Sequence, residues 1–290
     1  DVAGVEAWFG FDGFPLFLDR YFAVLDLLRE PEDFSLAAER YLDLAVSQGV
    51  VHVEFHVSAT GHILEQGKEW GPIYDGVVDG CSRAARRTGV SWGLIPDISP
   101  HLPAAACASA MDLVLAYDTD HVVAIGMGGP ADTWEAEDFG SIFATAREHG
   151  IPGVAHAAEH GGADEVRFAV EEFGAVRIQH GIGVVSDPQV VALLRERGIP
   201  CDVCPGSNLA LHAVASPSDH PLPAMLDAGI VVTLGTDDPP MFHTDLLAEY
   251  ERAWDWCHLD IDGVTALARN SIVSSFAGDD DKVNWLDQLQ

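Results

Sequence analysis

Between residues 50 and 236, short apolar runs rich in β-branched residues alternate with stretches of helical period. The strand-like runs are 50–57, 90–98, 121–127, 151–155, 175–180, 199–204 and 230–236. The helical stretches between and after them are 72–88, 104–115, 136–149, 164–173, 188–197, 222–228 and 245–256. A further helix at 263–276 precedes an acidic tail. Parallel strands need a crossover, usually a helix, and strands covered on both faces read as near-continuous apolar runs. The alternation therefore predicts an α/β fold with a parallel sheet under a layer of helices. Two more helical stretches, 14–29 and 31–48, come before the first visible strand. Seven strands plus one make a (β/α)8 TIM barrel. The expectation is a single barrel domain over 1–290, with residues 1–48 forming helical segments ahead of strand 2. Strand 1 is then expected upstream of residue 1, or missing from the chain.

Four of these runs end on polar residues. Residues 151–155 lead into His156, with Glu159 three positions on; 177–181 read Arg-Ile-Gln-His-Gly; 204–208 read Cys-Pro-Gly-Ser-Asn; 233–239 read Thr-Leu-Gly-Thr-Asp-Asp-Pro. In a barrel, the C-terminal ends of the strands converge on one mouth. His156, Glu159, His180, Asp237 and Asp238 are thereby placed around a shared cavity. Imidazole and carboxylate together suit zinc or a similar divalent ion, whose bound water ionises near neutral pH.

The four endings resemble the adenosine/adenine deaminase branch of the amidohydrolase superfamily. Its signature is His-Ala-Gly-Glu, Arg-Ile-Gly-His-Gly, Cys-Pro-x-Ser-Asn and Thr-Asp-Asp-Pro on strands 5 to 8. This chain has His156-Ala-Ala-Glu159, Arg177-Ile-Gln-His180-Gly181, Cys204-Pro-Gly-Ser-Asn208 and Thr236-Asp-Asp-Pro239 in the same order. The likeness runs from about residue 16 to 276. It implies zinc-dependent hydrolytic deamination of a 6-aminopurine: adenosine, adenine or a ribose-modified adenosine, attacked by hydroxide on the metal. His156 and Asp237 would be metal ligands, one zinc per chain. Glu159 would hand a proton to the purine ring nitrogen, and His180 would orient or deprotonate the attacking water. Asp238 would accept a hydrogen bond at the purine's imidazole edge.

Three departures from that pattern stand out. The family's strand-1 His-x-His, which supplies two further ligands, is not in these residues, and His52 and His56 align with positions that are not ligands. Ala158 stands where the family has Gly, so its Cβ would narrow the approach of the backbone. The 126–130 turn, Gly-Met-Gly-Gly-Pro, lacks the acidic residue common in adenosine deaminases, although the backbone at Gly126 and Gly128 could contact the purine. A silent homologue that binds a nucleoside or a partner, or an amidohydrolase of a non-purine amine, is the alternative. The aromatic stretch 8–22 suits a lid over a base as well as a helix packed on a barrel. Asn208 and Ser207 are read as hydrogen-bonding their own loop. His160, His212, His220 and His243 are candidates for substrate contact.

Composition narrows the partners. Fifteen Lys and Arg against 46 Asp and Glu give a formal charge of −31, which repels nucleic acid and anionic lipid. No apolar run reaches the ~18 residues needed to span a bilayer. Five scattered cysteines without a signal peptide fit a reducing cytoplasm. A purine substrate is thus the expected partner, with a homo-oligomer left open. His52-Val-Glu54 and Pro200-Cys-Asp-Val-Cys204 spell the halves of the cytidine-type zinc pattern. They lie too far apart to form one site, and Cys201 and Cys204 alternate along a strand.

Overall fold

The structure, a computed structural model, describes residues 1–129 and 136–289. The strands follow the predicted order: β1 (His52–Val57), β2 (Ser91–Ile98), β3 (Gly126–Met127), β4 (Gly153–Ala157), β5 (Ala175–His180), β6 (Cys201–Val203) and β7 (Val232–Leu234). The pairings are parallel and join consecutive strands, β1-β2-β3 and β4-β5-β6-β7. A parallel bridge from Ile125 to Gly153 continues the series between the two sets. Parallel neighbours in chain order are what successive right-handed βα units build as they wind around a barrel. Among the described residues, β1 pairs only with β2 and β7 only with β6, so the strand expected ahead of β1 is not among them. The two sides of that seam are tied by Tyr41 Oη to Thr236 Oγ1 at 3.3 Å and by the Leu246 N–H to Gln48 Oε1 at 3.0 Å.

The helices are α1 (Val2–Trp8), α2 (Phe14–Leu25), α3 (Pro31–Ser47), α4 (Trp70–Thr88), α5 (Ala104–Ala116), α6 (Ala136–Glu148), α7 (Ala163–Glu171) and α8 (Pro188–Arg197). They continue with α9 (Pro205–Ala210), α10 (Leu222–Asp227), α11 (Pro239–Phe242), α12 (Leu246–Cys257), α13 (Ile261–Ser274) and α14 (Asp279–Gln288). Helices α3 and α4 touch backbone to backbone: a Cβ at Gly76 would stand 2.3 Å from the Pro31 carbonyl oxygen, and one at Gly80 2.1 Å from that of Ser35. The expected acidic tail is instead helix α14. Asp279, Asp280 and Asp281 occupy its first turn, where carboxylates meet the positive end of the helix dipole. Acidic residues also cap α8, α12 and α13, through Asp187, Asp245 and Asp260. Among the described residues, no helix is long and apolar enough to cross a membrane.

The main core, which includes Phe34, Leu94, Phe143, Ile178 and Leu267, packs helices on strands. Inside the barrel, Ile95, Ala124 and Val154 form a smaller cluster with Phe276 against it. Beside that cluster lies a buried ionic plug. Arg177 on β5 pairs with Glu54 on β1 at 2.5 Å and with Asp202 on β6 at 2.7 Å, and its guanidinium lies 4.6 Å from the Phe276 ring centre. Thr233 on β7 donates to Asp202 at 2.5 Å, and the Phe276 N–H to Glu54 at 2.5 Å. One arginine thus joins strands from both sides of the seam.

Candidate active site

The strand ends meet in a cavity of about 2030 Å³ that reaches from the aromatic residues of α2 to the seam. His156, Glu159, His180, Asp237 and Asp238 all line it. His156, near the end of β4, is positioned by its own ring. Its Nδ1–H donates to the Met127 carbonyl at 2.9 Å, which leaves the Nε2 lone pair free for a cation. Burial and the neighbouring rings of His180 and His56 push this imidazole down, so it is neutral and able to ligate. Gly128 gives the ring its room, because a Cβ there would stand 3.2 Å from it.

Glu159 follows two residues after β4. Its Oε1 accepts from Asn208 Nδ2 at 3.0 Å and lies 3.5 Å from His180 Nδ1, while its Oε2 lies 4.0 Å from His160 Nε2. Burial, and then the charge of Asp237, push its carboxyl up to about 7, so the acid form persists near neutral pH. His180 is buried, and burial pushes it down. Asp238 is pushed well above the carboxylate range by burial and by Asp237. The donor atoms of Glu159, His180 and Asp237 all lie within 4.8 Å of one another. His156 stands beside this trio, its ring centre 5.3 Å from that of His180.

Of the six non-glycine residues with left-handed backbone among the described residues, three fall at the site. Ala158, His180 and Asp237 have φ of 53°, 61° and 54°, the left-handed region that costs an L-residue roughly 1–2 kcal/mol. Strain of this kind collects at functional sites. It also gives the physical reason a glycine suits position 158. Ala158 holds the conformation with its N–H on Glu165 Oε2 at 2.6 Å and its side chain fully buried.

Gly126 does not line the cavity: the carboxylate of Asp97 occupies the place of its side chain, 1.7 Å from an ideal Cβ. Gly128 does line it, whereas Pro130 of the same turn lies outside the described residues. Asp97 accepts from His56 Nδ1 with both oxygens at 3.0 Å, and the His56 ring centre lies 5.5 Å from that of His156. The sequence sets His56 aside as a non-ligand and does not show its place beside His156. The available signal was the i, i+2, i+4 spacing of His52, Glu54 and His56, which puts all three on one face of β1. Of the other histidines, His160 lines the cavity, where Phe14 meets it edge-on at 5.3 Å, and His212 faces Asp12 at the surface. The aromatic stretch does reach the mouth, with Phe17 stacked on Phe242 at 5.2 Å and Tyr21 lining the cavity.

The family model described as adenosine deaminase matches residues 2–290. An aminodeoxyfutalosine deaminase of Acidothermus cellulolyticus is 36% identical over 81% of this chain and 67% of its own length. A solved adenine deaminase from Arthrobacter aurescens is 30% identical with a TM-score of 0.94, covering 100% of this chain and 88% of that one. A zinc-bound amidohydrolase structure from Burkholderia ambifaria is 27% identical with a TM-score of 0.83, over 90% of this chain and 74% of that one. These likenesses bear out the α/β TIM-barrel class expected from the alternation of strands and helices.

Proposed function

The chain belongs to the adenosine deaminase family and is a hydrolytic deaminase; from that premise we propose that it removes the 6-amino group of an aminopurine, with water as nucleophile and ammonia as product. The observation that carries this reading is the convergence of Glu159, His180 and Asp237 within 4.8 Å of one another at the cavity. Addition of water to an aromatic ring carbon needs a proton delivered to the ring on one side and an attacking oxygen held on the other. Glu159 supplies the first function, because its acid form survives near neutral pH. It protonates the ring nitrogen beside the amino-bearing carbon and makes that carbon electrophilic. His180, neutral and buried, orients the water. Asp238, which favours its protonated form, can both donate and accept at the imidazole edge of the purine.

The donors fit zinc. His156 offers a bare Nε2 and Asp237 a carboxylate open to the cavity, the imidazole-plus-carboxylate set that zinc favours. When bound, such a cation makes water acidic enough to serve as a nucleophile near neutral pH. The Burkholderia ambifaria amidohydrolase carries bound zinc, which supports the same choice. A strand seated at the seam between β1 and β7 would bring the remaining ligands.

Adenine ranks first as substrate, since a relative alike over the whole chain is named an adenine deaminase, and ribose-modified adenosines rank second. A binding-only barrel has no observation in its favour, because the acid, the imidazole and both aspartates stand together. The test is ammonia release from adenine, adenosine, a ribose-modified adenosine and cytosine. Turnover is expected with at least one 6-aminopurine and none with cytosine. Ammonia from cytosine alone would move the activity to non-purine amines.

A further inference from the structure

A buried hydrogen-bond chain runs from the site to a histidine outside it. Asn208 Nδ2 lies 3.0 Å from Glu159 Oε1 and 3.2 Å from His180 Nδ1, and its Oδ1 lies 3.4 Å from His220 Nε2. Asn208 is fully buried and His220 nearly so, and neither lines the cavity. The His220 ring packs against Trp256, ring centres 5.4 Å apart.

Chemistry fixes the protons along this chain. The Leu222 N–H donates to His220 Nδ1 at 3.1 Å, so that nitrogen keeps its lone pair. Burial pushes the imidazole down to about 4, so near pH 7 it is neutral with its one proton on Nε2. An Nε2–H can only donate, so the Asn208 atom facing it is the carbonyl oxygen, and the amide N–H groups face Glu159 and His180. Turning the amide over would set N–H against N–H at His220, a buried contact left without an acceptor. With the amide so held, Glu159 Oε1 is an acceptor and its acidic proton sits on Oε2. His180 Nδ1 is likewise an acceptor, so neutral His180 carries its proton on Nε2.

We propose that His220 is a positioning residue for the deamination: its single tautomer orients the Asn208 amide, which assigns the transferable proton to Glu159 Oε2 and the His180 proton to Nε2. The proposal rests on the deaminase reading above.

Two readouts test it. Nitrogen-15 NMR of histidine-labelled protein should show, among its neutral Nε2–H imidazoles, one that stays unchanged between about pH 5 and 8 and vanishes in His220→Phe. His220→Phe keeps a ring against Trp256 but loses the donor. Its kcat should fall about 10- to 100-fold with KM within about threefold, the usual scale for lost outer-sphere partners. His220→Gln, which restores an N–H donor, should recover most of the loss. Should the Phe variant fail to fold, Asn208→Asp removes both amide donors at nearly constant shape and should lose kcat at least as far. A folded His220→Phe with wild-type kcat, a Gln variant no better than Phe, or a wild-type proton on Nδ1 would overturn the proposal. Wild-type protein that releases no ammonia would overturn the deaminase reading and the catalytic role with it. Turnover with an Nδ1–H tautomer would overturn only the His220 assignment.

Discussion

Glu159→Gln is expected to lower kcat on the best aminopurine by about 10²–10⁴-fold, the span ordinarily supplied by general acid catalysis, with KM little changed. Glutamine keeps the shape of the side chain and can still accept from Asn208 on its oxygen, 3.0 Å away in the native pair. It has no acidic proton to pass on. An ordinary carboxyl would be ionised near neutrality, but burial and then the charge of Asp237 hold Glu159 at about 7, so a substantial fraction is poised as the acid. Steady-state ammonia release beside a thermal unfolding curve checks this. Lost kcat with an unchanged unfolding midpoint is the expected result, and retained kcat would remove Glu159 from the chemistry.

Arg177→Met is expected to cost about 3–5 kcal/mol of stability, the usual penalty for removing one partner of a buried ion pair. The substitution strands Glu54 and Asp202 in the barrel without their counter-charge, both being largely shielded from water. For a chain of this size the unfolding midpoint should drop by about 10 °C. Replacing Arg177, Glu54 and Asp202 together with apolar residues should cost less, because no buried charge is then left over. The same plug makes the fold acid-sensitive. Burial raises the Glu54 carboxyl, but the hydrogen bond from His52 and the charge of Arg177 outweigh it and hold it at about 2. The folded value lies below the ordinary 4.5. The contribution is therefore present in full above that pH and is lost as pH falls through about 2. Urea unfolding at a series of pH values should show this loss in the native protein and a weaker one in Glu54→Gln.

Much of the fold could be read from period and punctuation. Strand β4 was legible because an apolar lead-in runs straight into His156, and β5, β6 and β7 because each closes on Gly or Pro beside polar groups. The strand at 121–127 was legible in place but not in length: only Gly126–Met127 pairs as a strand, with Val122 and Ile125 making isolated bridges. Helix α14 was hidden because an acidic run reads as solvated chain unless it is known to sit at a helix N-terminus, as Asp279 to Asp281 do. At the site, residues carried by strand ends were visible, since the barrel rule sends them to one place. The contacts of His56 with Asp97 and of Asn208 with His220 were not, because they join separate elements and no local spacing encodes them. The strain at Ala158 was half legible: the alanine stood out against the family's glycine, but only the φ of 53° gives the reason.

The central claim is that water, activated at this site, replaces the amino group of a 6-aminopurine. The most direct measurement is turnover of adenine in oxygen-18 water, with ammonia and the oxopurine product quantified together. One equivalent of ammonia per product, with the heavy oxygen incorporated at carbon 6, is the predicted result. Product without the label, or loss of adenine without ammonia, would contradict it.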